Sequence, residues 1–533
     1  MNFIELVQNL FDEKVNPGQT LWASLGAFMP ETILCITIVV ILLMRIILPS
    51  WKSLSYYLML LGTAIALYFA IPWNWFPATV SPAKPLFAGL LVYDSFSIFM
   101  RSLLLIFALL FTTFTQISRV PDQEDSAEFY VLVLGALVGM SLMISANHLV
   151  MILVGVEMAS VPSYVLAGFL RNRRKSSEAA LKYAVYGAGA AGIMLFGMSL
   201  LAGVLGSAHL PTMAQRLAEL LESGAGADRS LVLVLGGLML LVGVAFKLAA
   251  VPFHFWVPDV FEGASAEVAA FLSVASKAAA LALLVRLATA FSFLADPVLL
   301  QNLAPVRQYI GLMIAVLAAV TCTFGNLAAY GQTNLKRLLA YSTIAHAGYM
   351  MMPIAAAVFM IEKNPEGARE AVSAMVVYIS IYVFMNLAAF AGVAFLRNAT
   401  GSEDLRDFSG LVRRSPGFTI CMAIVMFSLL GLPPLSGFVA KVAIFLKALI
   451  QAKMYALLAV GVLNTVLSLF YYLRVVKVMT LETERPDRPL PAISLLSLPG
   501  FYFATLTVPV VALFFLWGGL WNWAYAAASA LLR

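Results

Sequence analysis

The sequence predicts an all-α integral membrane protein of about fourteen transmembrane helices, and three observations carry that expectation. The first is composition: 62% of the 533 residues are hydrophobic and 11% are charged, against roughly a quarter charged for a soluble domain. The second is spacing. Apolar runs of about 20 residues, the length that crosses a bilayer core, recur along the whole chain and are separated by polar connectors of about 5 to 20 residues. The third is that proline and glycine interrupt two of these runs. Disorder is excluded, since it needs low hydrophobicity and high charge density.

The runs centre near residues 38, 62 and 104 in an N-terminal group (1–125), then near 137, 158, 192, 243 and 278 (126–295). Five more centre near 318, 347, 383, 433 and 467 (300–480), and the last, near 509, belongs to a C-terminal helix (481–533). Connectors this short leave no extramembrane domain that could fold alone. The formal charge of +6 fits cationic loops on one membrane face, not nucleic acid. Loops after odd-numbered spans hold Arg171, Arg173, Arg174, Lys175, Lys336, Arg337, Arg406, Arg413, Arg414, Arg485 and Arg488. By the positive-inside rule this places those loops in the cytoplasm and both termini outside. The N-terminus, with Glu5, Asp12 and Glu13, lacks the basic region of a cleaved signal peptide.

Span seven contains Gly243-Val-Ala-Phe-Lys247-Leu-Ala-Ala-Val-Pro252-Phe-His254, and span twelve contains Leu429-Leu-Gly431-Leu-Pro433-Pro434-Leu-Ser-Gly437-Phe-Val-Ala-Lys441. Proline removes a helix hydrogen bond and clashes with the preceding turn, so both spans should be discontinuous. Interrupted helices at corresponding positions in two halves point to an inverted-repeat transporter. The repeats are expected at spans four to eight and nine to thirteen.

Four ionisable residues lie deep in apolar runs: Glu157, Lys247, Lys277 and Lys441. Each costs roughly 2.5–3.5 kcal/mol to insert, so the set would cost on the order of 10 kcal/mol without compensation. Lys182 and Lys447, nearer span ends, suit snorkelling to the interface. Burial disfavours the charged form of a lysine and a nearby carboxylate favours it. A lysine whose carboxylate partner comes and goes can therefore bind and release a proton. His254 and His346, in or beside apolar runs, suit the same relay, whereas His148 and His209 read as span-end or loop residues. Na⁺/H⁺ antiport is the alternative use of these charges, but lysines are poor sodium ligands.

Cofactor motifs do not emerge. Cys35, Cys322 and Cys421 stand far apart in apolar segments and offer neither a disulfide framework nor an iron–sulfur or metal motif. Gly187-Ala-Gly189-Ala-Ala-Gly192 matches GxGxxG but lies inside a membrane run instead of a βαβ unit, where small residues permit close helix packing.

Three stretches resemble signatures of the antiporter-like membrane subunits of respiratory complex I. They are Phe246-Lys247 through Pro252-Phe253-His254-Phe-Trp256-Val-Pro258-Asp259 to Gly263-Ala264, then Asn334-Leu-Lys336-Arg337 to Tyr341-Ser342 and His346-Ala-Gly348-Tyr349, and Gly431 to Lys441. Lys441 stands where the M-type subunit and its antiporter relative carry glutamate. No long lateral helix follows span fourteen, as one does in the L type, so the N type is the best match. Ser265-Ala266 departs from the proline and threonine common in the family. The resemblance implies that Glu157 and Lys247 form a coupled pair, Lys277 is the central relay lysine, His254 and His346 are intermediates, and Lys441 is terminal. Lys182 matches a family lysine on a less specific motif. It further implies a proton-translocating subunit of a bacterial inner-membrane NADH:quinone oxidoreductase, beside L- and M-type paralogues. No cofactor is expected in this chain, with flavin and iron–sulfur clusters expected on partner subunits. Alternatives are a multisubunit cation/proton antiporter, or a relative that uses reduced ferredoxin or a reduced deazaflavin.

Overall fold

A computed structural model of the chain describes residues 21–48, 51, 53–71, 83–121, 126–170, 173–223, 226–294, 296–484 and 492–532. Arg171, Arg485, Arg488 and the acidic residues at positions 5, 12 and 13 lie outside the described residues. Helices α1 (Leu21–Ala27), α2 (Met29–Ile47) and α3 (Leu54–Ala70) come first, followed by a hairpin of β1 (Lys84–Leu86) and β2 (Leu91–Tyr93). It is antiparallel, pairing Lys84 with Tyr93 and Leu86 with Leu91. There follow α4 (Ser95–Ser118), α5 (Ser126–Ser145), α6 (Leu149–Ala167), α7 (Arg174–Leu205), α8 (Leu210–Glu222), α9 (Gly226–Leu248), α10 (Trp256–Gly263) and α11 (Ala266–Ala290). Next are α12 (Pro297–Asn302), α13 (Ala304–Ala329), α14 (Leu335–Met360), α15 (Pro365–Thr400), α16 (Pro416–Leu430), α17 (Ser436–Val442) with a π-helical continuation (Ala443–Leu449), α18 (Tyr455–Leu481), α19 (Leu498–Phe515) and α20 (Trp517–Leu531).

Among the described residues, twelve helices are long and apolar enough to cross a membrane. The second expected span is the shorter apolar helix α3, and the twelfth is split between α16 and α17. The outer helices carry apolar side chains into the surroundings, including Ile36, Leu43 and Ile46 on α2 and Leu61 on α3, as helices facing lipid must. Inside them, α11, α14 and α15 form an almost wholly enclosed centre. Alanine, the best helix former, recurs through α11, and its small side chains let α4, α5, α9, α14 and α15 close on it from all sides. The Ser265 hydroxyl caps it by accepting from the Val268 amide at 3.2 Å. On α13 and α14, a Cβ at Gly348 would stand 2.5 Å from the Cys322 amide nitrogen, so only glycine permits that approach.

Both interrupted spans are discontinuous. Helix α9 ends at Leu248, Ala249 turns left-handed (φ 59°), and α10 starts only after Pro252. Helix α16 ends at Leu430, Gly431 takes φ 91°, and α17 starts after Pro433-Pro434.

The sequence reading needs four corrections. The last segment is two helices: α19 ends at Phe515, and after Leu516 α20 packs against α15 and α4. The connector after α7 contains amphipathic α8, with Leu210, Met213, Ala214, Leu217 and Ala218 buried at helical spacing. Buried charges are more numerous than four. Arg286 pairs with Asp94 at 2.8 Å, Arg101 with Glu31 at 3.0 Å and Lys336 with Glu403 at 2.8 Å. The first two fasten α4 to α11 and α2 to α4; each lost half would leave an uncompensated buried charge, costing about 3–5 kcal/mol. Finally, in the GxGxxG match only Gly187 packs tightly, against Tyr164, while Gly189 and Gly192 face open space.

Candidate functional site

The two helix breaks place carbonyl ends inside the bundle, and a lysine meets each. An α-helix leaves its last four carbonyls without intrahelical donors and carries partial negative charge there. Lys277, in the middle of α11, donates to the Leu248 carbonyl at 2.8 Å. Lys441, on α17, donates to the Leu430 carbonyl at 2.7 Å and lies 4.7 Å from the Tyr349 ring centre, over its face. A hydrogen bond to a charged group contributes about 1.5–3 kcal/mol, which is comparable to the cost of inserting one lysine. The breaks thus make these lysines tolerable without an anionic partner, and a lysine held by a neutral carbonyl has no ion pair to break when it releases its proton.

Lys247 occupies the last turn of α9 and is 3% exposed. Glu157, half-buried on α6, couples to it electrostatically, yet the two form no ion pair, and Glu157 Oε1 has no hydrogen-bond partner. The expected pair is therefore coupled but open. His254 lies in the turn between α9 and α10. Its ring meets the Phe324 ring edge-on at 4.3 Å, and its Nδ1 is buried without a partner. The adjacent Val251 amide donates to Thr321 Oγ1 at 2.9 Å, tying the break to α13.

His346, on α14, is bracketed by two tyrosines. Nδ1 lies 2.8 Å from the Tyr378 hydroxyl and Nε2 lies 3.1 Å from that of Tyr472. Tyr472 also reaches Ser342 Oγ at 2.5 Å. Beside it, Tyr471 donates to Asn326 Oδ1 at 2.9 Å, and Asn326 Nδ2 donates to Asn464 Oδ1 at 3.0 Å. Tyr349 lies 3.1 Å from Thr465 Oγ1. Sequence reasoning missed this polar network of Tyr378, Tyr471, Tyr472, Asn326 and Asn464. Its only signal was a set of amide and hydroxyl side chains inside apolar runs, and those are individually common.

Lys182 lies elsewhere. It pairs with Asp259 at 2.7 Å and Glu178 at 2.8 Å, in a cluster where Arg337 bridges Asp259 and Glu262, and Lys175 holds Glu262. This ionic patch joins α7, α10 and α14 at the face bearing the basic loops. Burial alone would raise the Asp259 and Glu262 pKa values, but the hydrogen bonds from Lys182, Lys175 and Arg337 outweigh it and leave both lowered. His148 and His209 stand at the starts of α6 and α8, where His148 Nδ1 accepts from the Val150 amide, and the two residues pair across a β-bridge.

Residues 146–468, which hold all seven candidate residues, match the family described as NADH:quinone oxidoreductase/Mrp antiporter, transmembrane. The chain belongs to this family. It is 38% identical to NADH-quinone oxidoreductase subunit N 2 of Sorangium cellulosum, over 96% of this chain and 98% of that one. It is 36% identical to subunit N of Rhodospirillum rubrum, over 95% and 97% respectively. Among solved structures, a chain of respiratory complex I from Thermus thermophilus superposes with a TM-score of 0.70 at 31% identity, covering 92% of this chain and 97% of that one. A chain of the Mrp complex from Dietzia sp. shares the fold (TM-score 0.78, coverage 96% and 100%) at 19% identity. The family's antiporter-like fold is thus this chain's fold.

Proposed function

We infer that this chain is the N-type membrane-arm subunit of a proton-translocating NADH:quinone oxidoreductase, and that it moves protons along its buried lysines while redox chemistry proceeds in other subunits. The observation that carries the reading is the placement of Lys277 and Lys441 on the carbonyl ends of two interrupted helices. The 36–39% identity to NADH-quinone oxidoreductase N subunits, against 19% to the Mrp chain, favours the redox-driven pump over the antiporter.

In this mechanism Glu157 approaches or leaves Lys247 and so sets whether Lys247 holds its proton. Lys277 receives and releases protons against the Leu248 carbonyl. His254 and His346 carry them onward, the latter between its two tyrosine hydroxyls, and Lys441 is the last holder. Lys182 belongs to the ionic patch and fixes α7 to α10, so its part in the relay is one of positioning. The partners are L- and M-type membrane subunits, with the flavin and iron–sulfur arm attached through others. The chain sits in a bacterial inner membrane, basic loops in the cytoplasm and both termini outside.

The test is Lys277→Ala in the assembled complex, with proton uptake and electron transfer measured on the same inverted membrane vesicles. Fewer protons per electron with the complex intact is the expected result. An unchanged ratio would remove Lys277 from the pathway.

A further inference from the structure

Glu267 is the second residue of α11 and is fully buried, yet neither of its carboxylate oxygens has a hydrogen-bond partner. Such a group is unusual. An unpaired buried ion is heavily penalised, and the favourable field at a helix N-terminus returns only a small part of that cost. Lys336, the cation that senses Glu267, cannot bond to it. Its three donors are already spent on Glu403 Oε1 at 2.8 Å, the Ala264 carbonyl at 2.7 Å and the Glu262 carbonyl at 3.1 Å.

Two features lie on either side of this carboxyl, one reached through Lys336 and one along its own helix. On one side, Lys336 and Glu403 line a cavity of about 680 Å³ at the basic-loop face, together with Arg174, Lys175 and Arg397. On the other side, α11 runs inward to Lys277, ten residues on, or about 15 Å at 1.5 Å per residue. Between them Asn386 of α15 donates to Ser273 Oγ at 2.6 Å, and its own Oδ1 is buried without a partner. Ser273 precedes Lys277 by one helical turn and shares its face. Unpartnered buried acceptors in a polar setting are where proteins hold internal water.

We propose that Glu267 is the carboxylate that takes protons from the loop-face cavity and passes them toward Lys277, with Asn386 positioning the intervening water. This assignment rests on the proton-pump reading above. In the first step an O–H bond forms on Glu267 as a hydronium or water in the cavity gives up a proton. In the second, Glu267 donates that proton to water held at Asn386 and Ser273, the chain ends on the Lys277 amine, and Glu267 returns to carboxylate. One positive charge moves inward, and no bond other than O–H and N–H is made or broken.

The experiment uses the whole complex with Glu267→Gln, Glu267→Asp and Lys277→Ala, measuring protons pumped per electron and redox-triggered infrared difference spectra. Glu267→Gln should retain electron transfer, lose this chain's share of pumping and lose a carboxyl C=O band. Glu267→Asp should restore pumping and shift that band. Wild-type pumping and an unchanged spectrum in Glu267→Gln, with pumping lost in Lys277→Ala, would overturn the role of Glu267 alone. Wild-type pumping in both would overturn the relay reading as well. If Glu267→Gln fails to assemble, Glu267→Asp decides: a shifted band supports the assignment and an unshifted one overturns it.

Discussion

Lys441 and Leu430 stand eleven residues apart on either side of a broken span, and the lysine closes on the carbonyl at 2.7 Å. Lys277 repeats the arrangement with Leu248, from a neighbouring helix. Among the described residues a helix end is the hydrogen-bonded partner of each of these two lysines, which distinguishes them from Lys182, Lys336 and Lys447, all paired with carboxylates.

Lys441→Met keeps the bulk of the side chain but strands the Leu430 carbonyl. An unsatisfied buried acceptor costs about 1–3 kcal/mol, which the assembled complex should survive. The expected outcome is an intact complex with fewer protons per electron, measured by native gel and vesicle acidification. Failure to assemble would make Lys441 structural.

Gly431→Ala tests the break itself. A Cβ there would lie 2.9 Å from Lys441 Cδ, on a residue at φ 91°. The left-handed conformation costs a non-glycine residue about 1–2 kcal/mol, and the methyl group would push Lys441 off its carbonyl. Pumping should fall without loss of electron transfer; wild-type pumping would show that the lysine does not need this seat.

Tyr472→Phe removes the hydroxyl at His346 Nε2 and at Ser342. The stability cost should be about 1 kcal/mol. If His346 carries protons, pumping should slow more than this modest packing change explains, and Tyr378→Phe should act on the Nδ1 side in the same way. Equal pumping in both variants would leave the histidine a purely structural residue.

Asp259→Asn probes the ionic patch. The Asp259 pKa is lowered in the folded chain, so its contribution is present above the ordinary aspartate value of about 3.9 and is lost as pH falls through the lower folded value. Thermal stability of the purified complex should therefore differ between wild type and Asp259→Asn at neutral pH, and the two curves should converge at acid pH. Parallel curves at all pH values would show that this charge pairing is not stabilising.

The helical architecture was legible because hydropathy and proline act locally: Pro252 and Pro433-Pro434 announced both breaks. The four candidate membrane charges were legible for the same reason. What lay beyond reach was pairing. Nothing in Asp94 or Arg286 alone says that they meet across 192 residues. Lys182 reads as a span-end lysine suited to snorkelling, with only a less specific family match; its pairing with Asp259 is set by the placement of α10, while Glu178 lies one turn away on its own helix. The tyrosines around His346 come from α15 and α18, so only tertiary packing gathers them.

The histidine between two phenols also bears on direction. A neutral imidazole offers one donor and one acceptor, so a proton that arrives from Tyr378 on one nitrogen can leave toward Tyr472 from the other without the ring turning. The site is then left in the opposite tautomer and cannot pass a second proton the same way until it is reset. In the proposed relay His346 would therefore behave as a ratchet that counts one charge per cycle, with a resetting step between one transfer and the next.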